Sequence, residues 1–199
     1  MNCYAVGRDR HSRTIAPTHI QNNTEKNNMH IVKYDIFDAI GKVDIACITT
    51  NGFINKRGEC VMGKGCAKQA SDRYPGMAQR LADKIRSGGN IPYQIGASGG
   101  TLIYSFPVKP ISGIFDGGNS VSYMRNNYSV GDTVPGWACK ADLKLIRNSA
   151  LHLAEIVNES NVKKIAIPMP GCGAGELGWD DVSDVVSDIF DDRFYILYK

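Results

Sequence analysis

The sequence predicts a three-layer α/β/α domain around a mixed, mostly parallel central sheet. Short, β-branched apolar runs alternate with segments of helical period, the pattern of strands joined by crossover helices. Several of the loops that follow the apolar runs are rich in glycine. The 199 residues amount to about one domain, and a hydrophobic content of 43% is enough for a packed core.

Residues 1–28 read as a disordered leader, because Gln21-Asn22-Asn23-Thr24-Glu25-Lys26-Asn27-Asn28 contains nothing apolar. The folded domain is then expected over 29–199. Residues 30–34 and 43–50 are short, apolar and β-branched, and predict strands. Residues 66–74 predict a helix stopped by Tyr74-Pro75-Gly76. Met77, Leu81 and Ile85 share one face of a second helix that ends before Ser87-Gly88-Gly89. Residues 101–106 predict a strand. Leu143, Ile146, Ala150, Leu153 and Val157 recur at helical spacing and predict a long amphipathic helix over roughly 139–159. A strand at 164–168, a helix at 180–190 and a strand at 194–198 complete the order. Between them, 111–136 breaks the rhythm with five Gly, three Asn and four Ser around Phe115, Tyr123 and Tyr128. A loop that long is either a mobile surface insertion or a lid that folds over a ligand on its aromatics.

Composition removes several classes of function. A net charge of +3 is too small for a dedicated DNA binder. No apolar run reaches the ~18 residues of a membrane span, and the basic N-terminal stretch lacks the apolar centre of a secretory signal. The six cysteines form no CxxC pair and the four histidines lie far from them, so neither a metal site nor a cofactor is expected. Cys47, inside an apolar strand, reads as a small buried hydrophobe. This usage fits a reducing cytoplasm. The acidic run Asp180, Asp181, Asp184, Asp188, Asp191 and Asp192 reads as a solvated face, and Arg8, Arg10 and Arg13 as part of a solvated tail.

Open parallel sheets bind ligands beyond the carboxyl ends of their strands, so chemistry is sought in two glycine-rich loops. The first runs through Asn51-Gly52-Phe53 to Met62-Gly63-Lys64-Gly65-Cys66-Ala67, with glycines immediately before a helix. Free amides and the positive helix end there suit an anion. Gly58 to Gly65 approaches a phosphate-binding P-loop, but Gly65 stands where the Mg²⁺-binding hydroxyl belongs. The second is Pro168-Met169-Pro170-Gly171-Cys172-Gly173-Ala174-Gly175-Glu176-Leu177-Gly178, whose backbone can approach a phosphate with no Cβ in the way. Tight turns explain either loop alone. The two together predict a diphosphate gripped from both sides.

Three motifs in order, Val43-Asp44-Ile45-Ala46-Cys47-Ile48-Thr49-Thr50-Asn51-Gly52, Val61-Met62-Gly63-Lys64-Gly65-Cys66-Ala67 and Ile167-Pro168-Met169-Pro170-Gly171-Cys172-Gly173, resemble the macro domain family. The branch they resemble most is the bacterial and phage Appr-1-p processing one. The resemblance covers about 29–199, apart from much of 111–136. It implies an ADP-ribose pocket, with free ADP-ribose or an ADP-ribosylated substrate as partner and nucleic acid only as a modified substrate. Tyr34-Asp35-Ile36 matches the strand end whose Asp accepts from the adenine amine, although Asp35 also suits a helix cap. Asn51 matches the asparagine on the distal ribose. Gly63, Gly65, Cys66 and Ala67 would wrap the distal ribose and phosphates. Gly171, Cys172, Gly173, Ala174 and Gly175 would hold the diphosphate. Tyr198, with Phe194 and Tyr195 as competitors, would stack on adenine.

For catalysis, one lysine-using branch shares the pattern at 62–67 and places a lysine after a strand, where Lys109 lies here. Its amine would form a Schiff base with the opened ribose. That branch also needs an acid where this sequence has Gly175, with Glu176 adjacent. Glu176 is therefore a shifted base or merely part of the acidic start of the next helix, and Lys109 is a nucleophile or a solvated strand-end charge. Without a nucleophile, a bound water positioned by Asn51 and the loop amides would attack instead. The expected activity is hydrolysis of an ADP-ribose derivative at the distal ribose by a monomer. The alternative is a binding module with no chemistry.

Overall fold

The computed structural model describes residues 28–199. The predicted leader, with its arginines, therefore lies outside the described residues apart from Asn28. A six-stranded sheet forms the middle layer, in the order β1 (His30–Lys33), β8 (Phe194–Tyr198), β7 (Ile165–Pro168), β2 (Ile45–Asn51), β4 (Thr101–Lys109), β3 (Gln94–Ser98). The first five are mutually parallel and β3 is antiparallel to β4. The predicted mixed, mostly parallel sheet is thus what forms.

The alternation of side chains along β2 builds the two cores. Ala46 and Ile48 point into one apolar cluster with Met77, Leu81 and Ile85 of α3 (Met77–Gly88) and Ala67 and Ala70 of α2 (Gly65–Arg73). Ile45 and Cys47 point into the other, with Ile146, Ala150 and Leu153 of α4 (Leu143–Asn158) and Val182 and Val186 of α5 (Trp179–Val186). Both faces of β2 are covered, which is why it reads as a continuous apolar run rather than an alternating one. Cys47 is fully buried, as expected for a small hydrophobe. The acidic run lies on the outside, with Asp188 paired to Arg147 and Asp191 to Arg193.

Sequence reading missed β3, which has a single fully buried side chain, Ile95. Its signal was the Gly99-Gly100 pair. Both residues have positive φ, +57° and +83°, as a two-residue hairpin turn requires. Also missed was α1 (Ile36–Ala39), a single turn capped by Asp35. Asp142, capping the Leu145 amide at 2.8 Å, starts α4 later than the apolar period implied.

The 111–136 segment has structure of its own. β5 (Ser112–Ile114) pairs antiparallel with β6 (Thr133–Pro135), and a 3-10 turn spans Ser122–Asn127. Phe115, Val134, Ala138 and Cys139 form a separate apolar cluster with Met124, Tyr128 and Trp137. Its neck is tight: the Gly136 amide donates to the Ile111 carbonyl at 2.9 Å, and a Cβ on Gly136 would collide with the Pro110 carbonyl oxygen. Among the described residues no helix is long and apolar enough to cross a membrane, and no group of three metal-ligating side chains forms. The neck yields a prediction: Gly136→Ala should destabilise the domain by roughly 2 kcal/mol, the scale of an overpacked site, read as a lower urea midpoint at unchanged slope.

Candidate functional site

The carboxyl ends of β1, β8, β7, β2 and β4 share one edge of the sheet, and a cleft of about 750 Å³ runs across them. Four inter-strand steps of ~4.8 Å make this edge roughly 19 Å long. Tyr34, Ile36, Tyr198 and Lys199 line the cleft at the β1–β8 end, and Asn51 and Lys109 at the β2–β4 end. The two glycine loops meet in it, with Gly63, Gly65, Cys66 and Ala67 on one side and Gly171, Cys172, Gly173, Ala174 and Gly175 on the other.

Each loop has a local reason for its path. Gly65 opens α2 at φ +57°, with its side chain position facing open space. The first-turn amides of α2 therefore head a helix with no side-chain cap. Gly171 has φ +75°, and a Cβ there would meet Ala141 at 2.9 Å and Ile146 at 3.0 Å. A Cβ on Gly175 would strike the Gly171 carbonyl oxygen, so the second loop can fold back on itself only as glycine. The amides of Gly173, Ala174 and Gly175 find no acceptor among the described residues. Successive free amides beside a helix start form a concavity for an anion.

At the β2–β4 end a proline decides the geometry. Pro107 lies inside β4 but has no N–H to give the ladder. The pairing slips there: Thr50 faces Pro107, and the next residue, Asn51, faces Lys109. The Pro107 carbonyl is taken by the Ser149 hydroxyl of α4 at 2.8 Å. Asn51 and Lys109 thus become neighbours across the strands. The Asn51 amide also braces its loop, donating to the Val61 carbonyl at 2.6 Å and accepting from the Phe53 amide at 2.9 Å.

Lys109 is only 7% exposed and is no solvated strand-end charge. Its Nζ donates to the Trp137 carbonyl at 3.2 Å. Burial lowers its pKa to about 8, the nearby Lys64 adds to the fall, and Cys139 and Glu176 oppose it.

Glu176 is placed differently from the predicted base. It is absent from the cleft lining and precedes, rather than begins, α5. Its carboxylate accepts from the Ser122 hydroxyl at 2.7 Å and from the Ser122 amide at 2.8 and 3.0 Å. The Ser122 hydroxyl, with smaller help from its amide and from Lys140 and Lys109, outweighs burial and holds this carboxyl below its ordinary range.

Asp35 acts as the helix cap that sequence reading held open. Oδ1 accepts from the Phe37 amide at 2.8 Å and Oδ2 pairs with Lys199 at 2.6 Å. Burial raises its pKa, but the Lys199 ammonium and the Phe37 amide together bring it below the usual value. Of the three aromatic candidates, Tyr198 lines the cleft, Phe194 is fully buried in the core and Tyr195 stacks on His30 at 4.6 Å. Cys66, in contact with Thr49 Oγ1 at 3.2 Å, and Cys172 are thiols whose pKa burial raises, that of Cys172 to about 11. Sequence reading missed Thr50, Lys64 and Trp137, while Tyr123, one of the aromatics of the possible lid, does line the cleft. Thr50 carries a buried hydroxyl without a partner in the cleft wall.

A cleft across the carboxyl ends of a mostly parallel sheet is where α/β domains of the open-sheet class bind ligands. Solved structures narrow the class to the macrodomain fold. The macrodomain of Mycobacterium tuberculosis DarG is similar at a TM-score of 0.60 and 21% identity, over 87% of this chain and 99% of that one. The macrodomain of Thermus aquaticus DarG is similar at a TM-score of 0.59 and 19% identity, over 86% and 98%. Thermosipho africanus DarTG in complex with ADP-ribose is similar at a TM-score of 0.58 and 19% identity, and this chain's match spans 40% of its length. No family model matches the sequence, and no curated protein does.

The buried amine has a consequence for stability. Its pKa is depressed on folding, so the folded state bears a penalty wherever the unfolded chain holds the proton. That penalty is full below about pH 8 and fades as pH rises toward the ordinary lysine value. Lys109→Met should therefore raise stability at pH 7 by on the order of 2 kcal/mol, with the gain shrinking above about pH 8, as followed by urea unfolding across pH.

Proposed function

We propose that this chain binds ADP-ribose in the cleft and hydrolyses an ADP-ribose adduct at the distal ribose, with Lys109 as the reacting amine. One observation carries the reading: two glycine bends with free amides meet in a single cleft that ends on Asn51 and the buried Lys109. A similar structure, Thermosipho africanus DarTG, is in complex with ADP-ribose. The bends take the diphosphate, the Tyr34–Tyr198 end takes adenine, and the β2–β4 end takes the distal ribose. Asp35 then meets the adenine amine only through exchange with Lys199 or through a spare lone pair.

The neutral amine attacks the anomeric carbon. The C–N bond forms as the bond to the adduct breaks, and the adduct leaves with that electron pair and takes up a proton. Ring opening gives an imine, and water hydrolyses it to ADP-ribose and the free lysine. Burial supplies neutral amine near pH 7, which an exposed lysine does not. Glu176, bound to Ser122, is not positioned as the acid of this sequence, so water and the substrate carry that proton. The same placement favours a second reading, a module that binds ADP-ribose without turnover.

Calorimetry with ADP-ribose should show saturable heat that Asn51→Ala weakens at least about tenfold; no heat from the wild type would end both readings. ADP-ribose 1″-phosphate, ADP-ribosylated protein and ADP-ribosylated nucleic acid then separate them. On the lysine route, turnover should climb about tenfold per pH unit below pH 8 and level off above it, because the neutral fraction does. Borohydride should trap a covalent adduct in the wild type and none in Lys109→Ala. Full activity of that variant would exclude the amine.

A further inference from the structure

The insertion and Trp137, the residue that follows it, meet three charged groups in and beside the cleft. The Trp137 carbonyl holds Lys109 Nζ at 3.2 Å. The Tyr123 ring lies against Lys64 Nζ, 3.4 Å from the ring centroid. Ser122 binds the Glu176 carboxylate through its amide and its hydroxyl. Lys109 ends β4, Lys64 belongs to the first glycine bend and Glu176 follows the second. The Ser122–Tyr123 tip therefore spans the gap between the bends.

The base and the tip of the insertion are held by different forces. The base is fixed by its apolar cluster and by the tight neck at Gly136. The 3-10 turn at the tip buries none of its residues, and Tyr123 is 50% exposed. Ser122 opens that turn with an amide that has no partner within it, and Glu176 caps it from another loop. Glu176 has φ +60°, alone among the described non-glycine residues in the left-handed region. Such a backbone is kept only where its surroundings enforce it. A tip held by the half-buried Met124 and a few surface polar contacts, on a more firmly packed base, is a local opening unit.

We propose that Ser122–Tyr123 is a clasp latched by Glu176 across the distal end of the cleft, and that Tyr123 selects adducts by the bulk of the group beyond the ribose. The inference rests on the ADP-ribose reading for its ligand, but not for the clasp itself. A free nucleotide sugar or a small adduct fits with the tip shut. An adduct carried on a macromolecule reaches Lys109 only when the Tyr123 ring leaves Lys64.

Two measurements test it, starting with amide hydrogen exchange on the ligand-free chain. Glu176→Gln and Tyr123→Ala should each speed exchange over 122–127 about tenfold while 133–139 stays protected. Unchanged exchange at the tip overturns the clasp whether or not ADP-ribose binds. The second is a ratio of kcat/KM, ADP-ribosylated protein over ADP-ribose 1″-phosphate. It should rise about tenfold in Tyr123→Ala and stay at the wild-type value in Tyr123→Phe, which keeps the ring. An unchanged ratio in Tyr123→Ala overturns the selection. No heat from wild type with ADP-ribose, beside faster exchange in the variants, would place the failure in the assigned ligand and not in the clasp.

Discussion

An ammonium stripped of most of its water is the constraint on which the distal end of the cleft depends. Lys109 has one direct partner there, the neutral Trp137 carbonyl, and no carboxylate in contact. Solvation is lost without an ion pair to replace it, and the proton becomes easier to remove. Two features impose this. The slip at Pro107 brings Lys109 level with Asn51, and Trp137, just past the insertion, caps what would otherwise be a strand end open to water. Neither suffices alone. With a regular ladder Asn51 would pair one residue earlier, and without the cover the amine would keep its water and its ordinary pKa.

The layers of the fold were legible because each rests on a local pattern. The apolar run of β2, the helical period of α4 and the stop at Tyr74-Pro75-Gly76 each have one physical solution. The glycine bends were legible for the same reason, since residues that need a positive φ or a missing Cβ announce themselves. What stayed hidden depends on distant partners. The burial of Lys109 comes from Trp137, 28 residues away, and the engagement of Glu176 from Ser122, 54 residues away. The cap role of Asp35 was weighed from the sequence, yet its pairing with Lys199 needs the close of β8 beside β1. β3 was missed because an edge strand with one fully buried side chain carries little periodic signal.

The insertion changes how the two loops should be understood. Glycine bends are well suited to an anion because they carry no side chains, and the same poverty leaves them little to hold their own positions. Here the second bend is braced from behind by Ala141 and Ile146. At the front, both bends reach the insertion through neighbouring charged residues, Lys64 and Glu176. One element therefore contacts residues beside both loops and bridges the gap between them.

Several departures from ordinary folding rules lie in or beside the cleft. Pro107 interrupts a central strand, Lys109 is buried without a carboxylate, Glu176 has positive φ, and the Thr50 hydroxyl is buried without a partner. Each costs stability, and other buried polar atoms without partners lie elsewhere among the described residues, at Asn90, Tyr93 and Ser120. Natural sequences break these rules where function requires it and follow them elsewhere. Those beside Asn51 and Lys109 mark the distal end of the cleft as the place to test for function. The lowered pKa of the amine beside Asn51 is what separates the two proposed readings, since only the reading with turnover uses it.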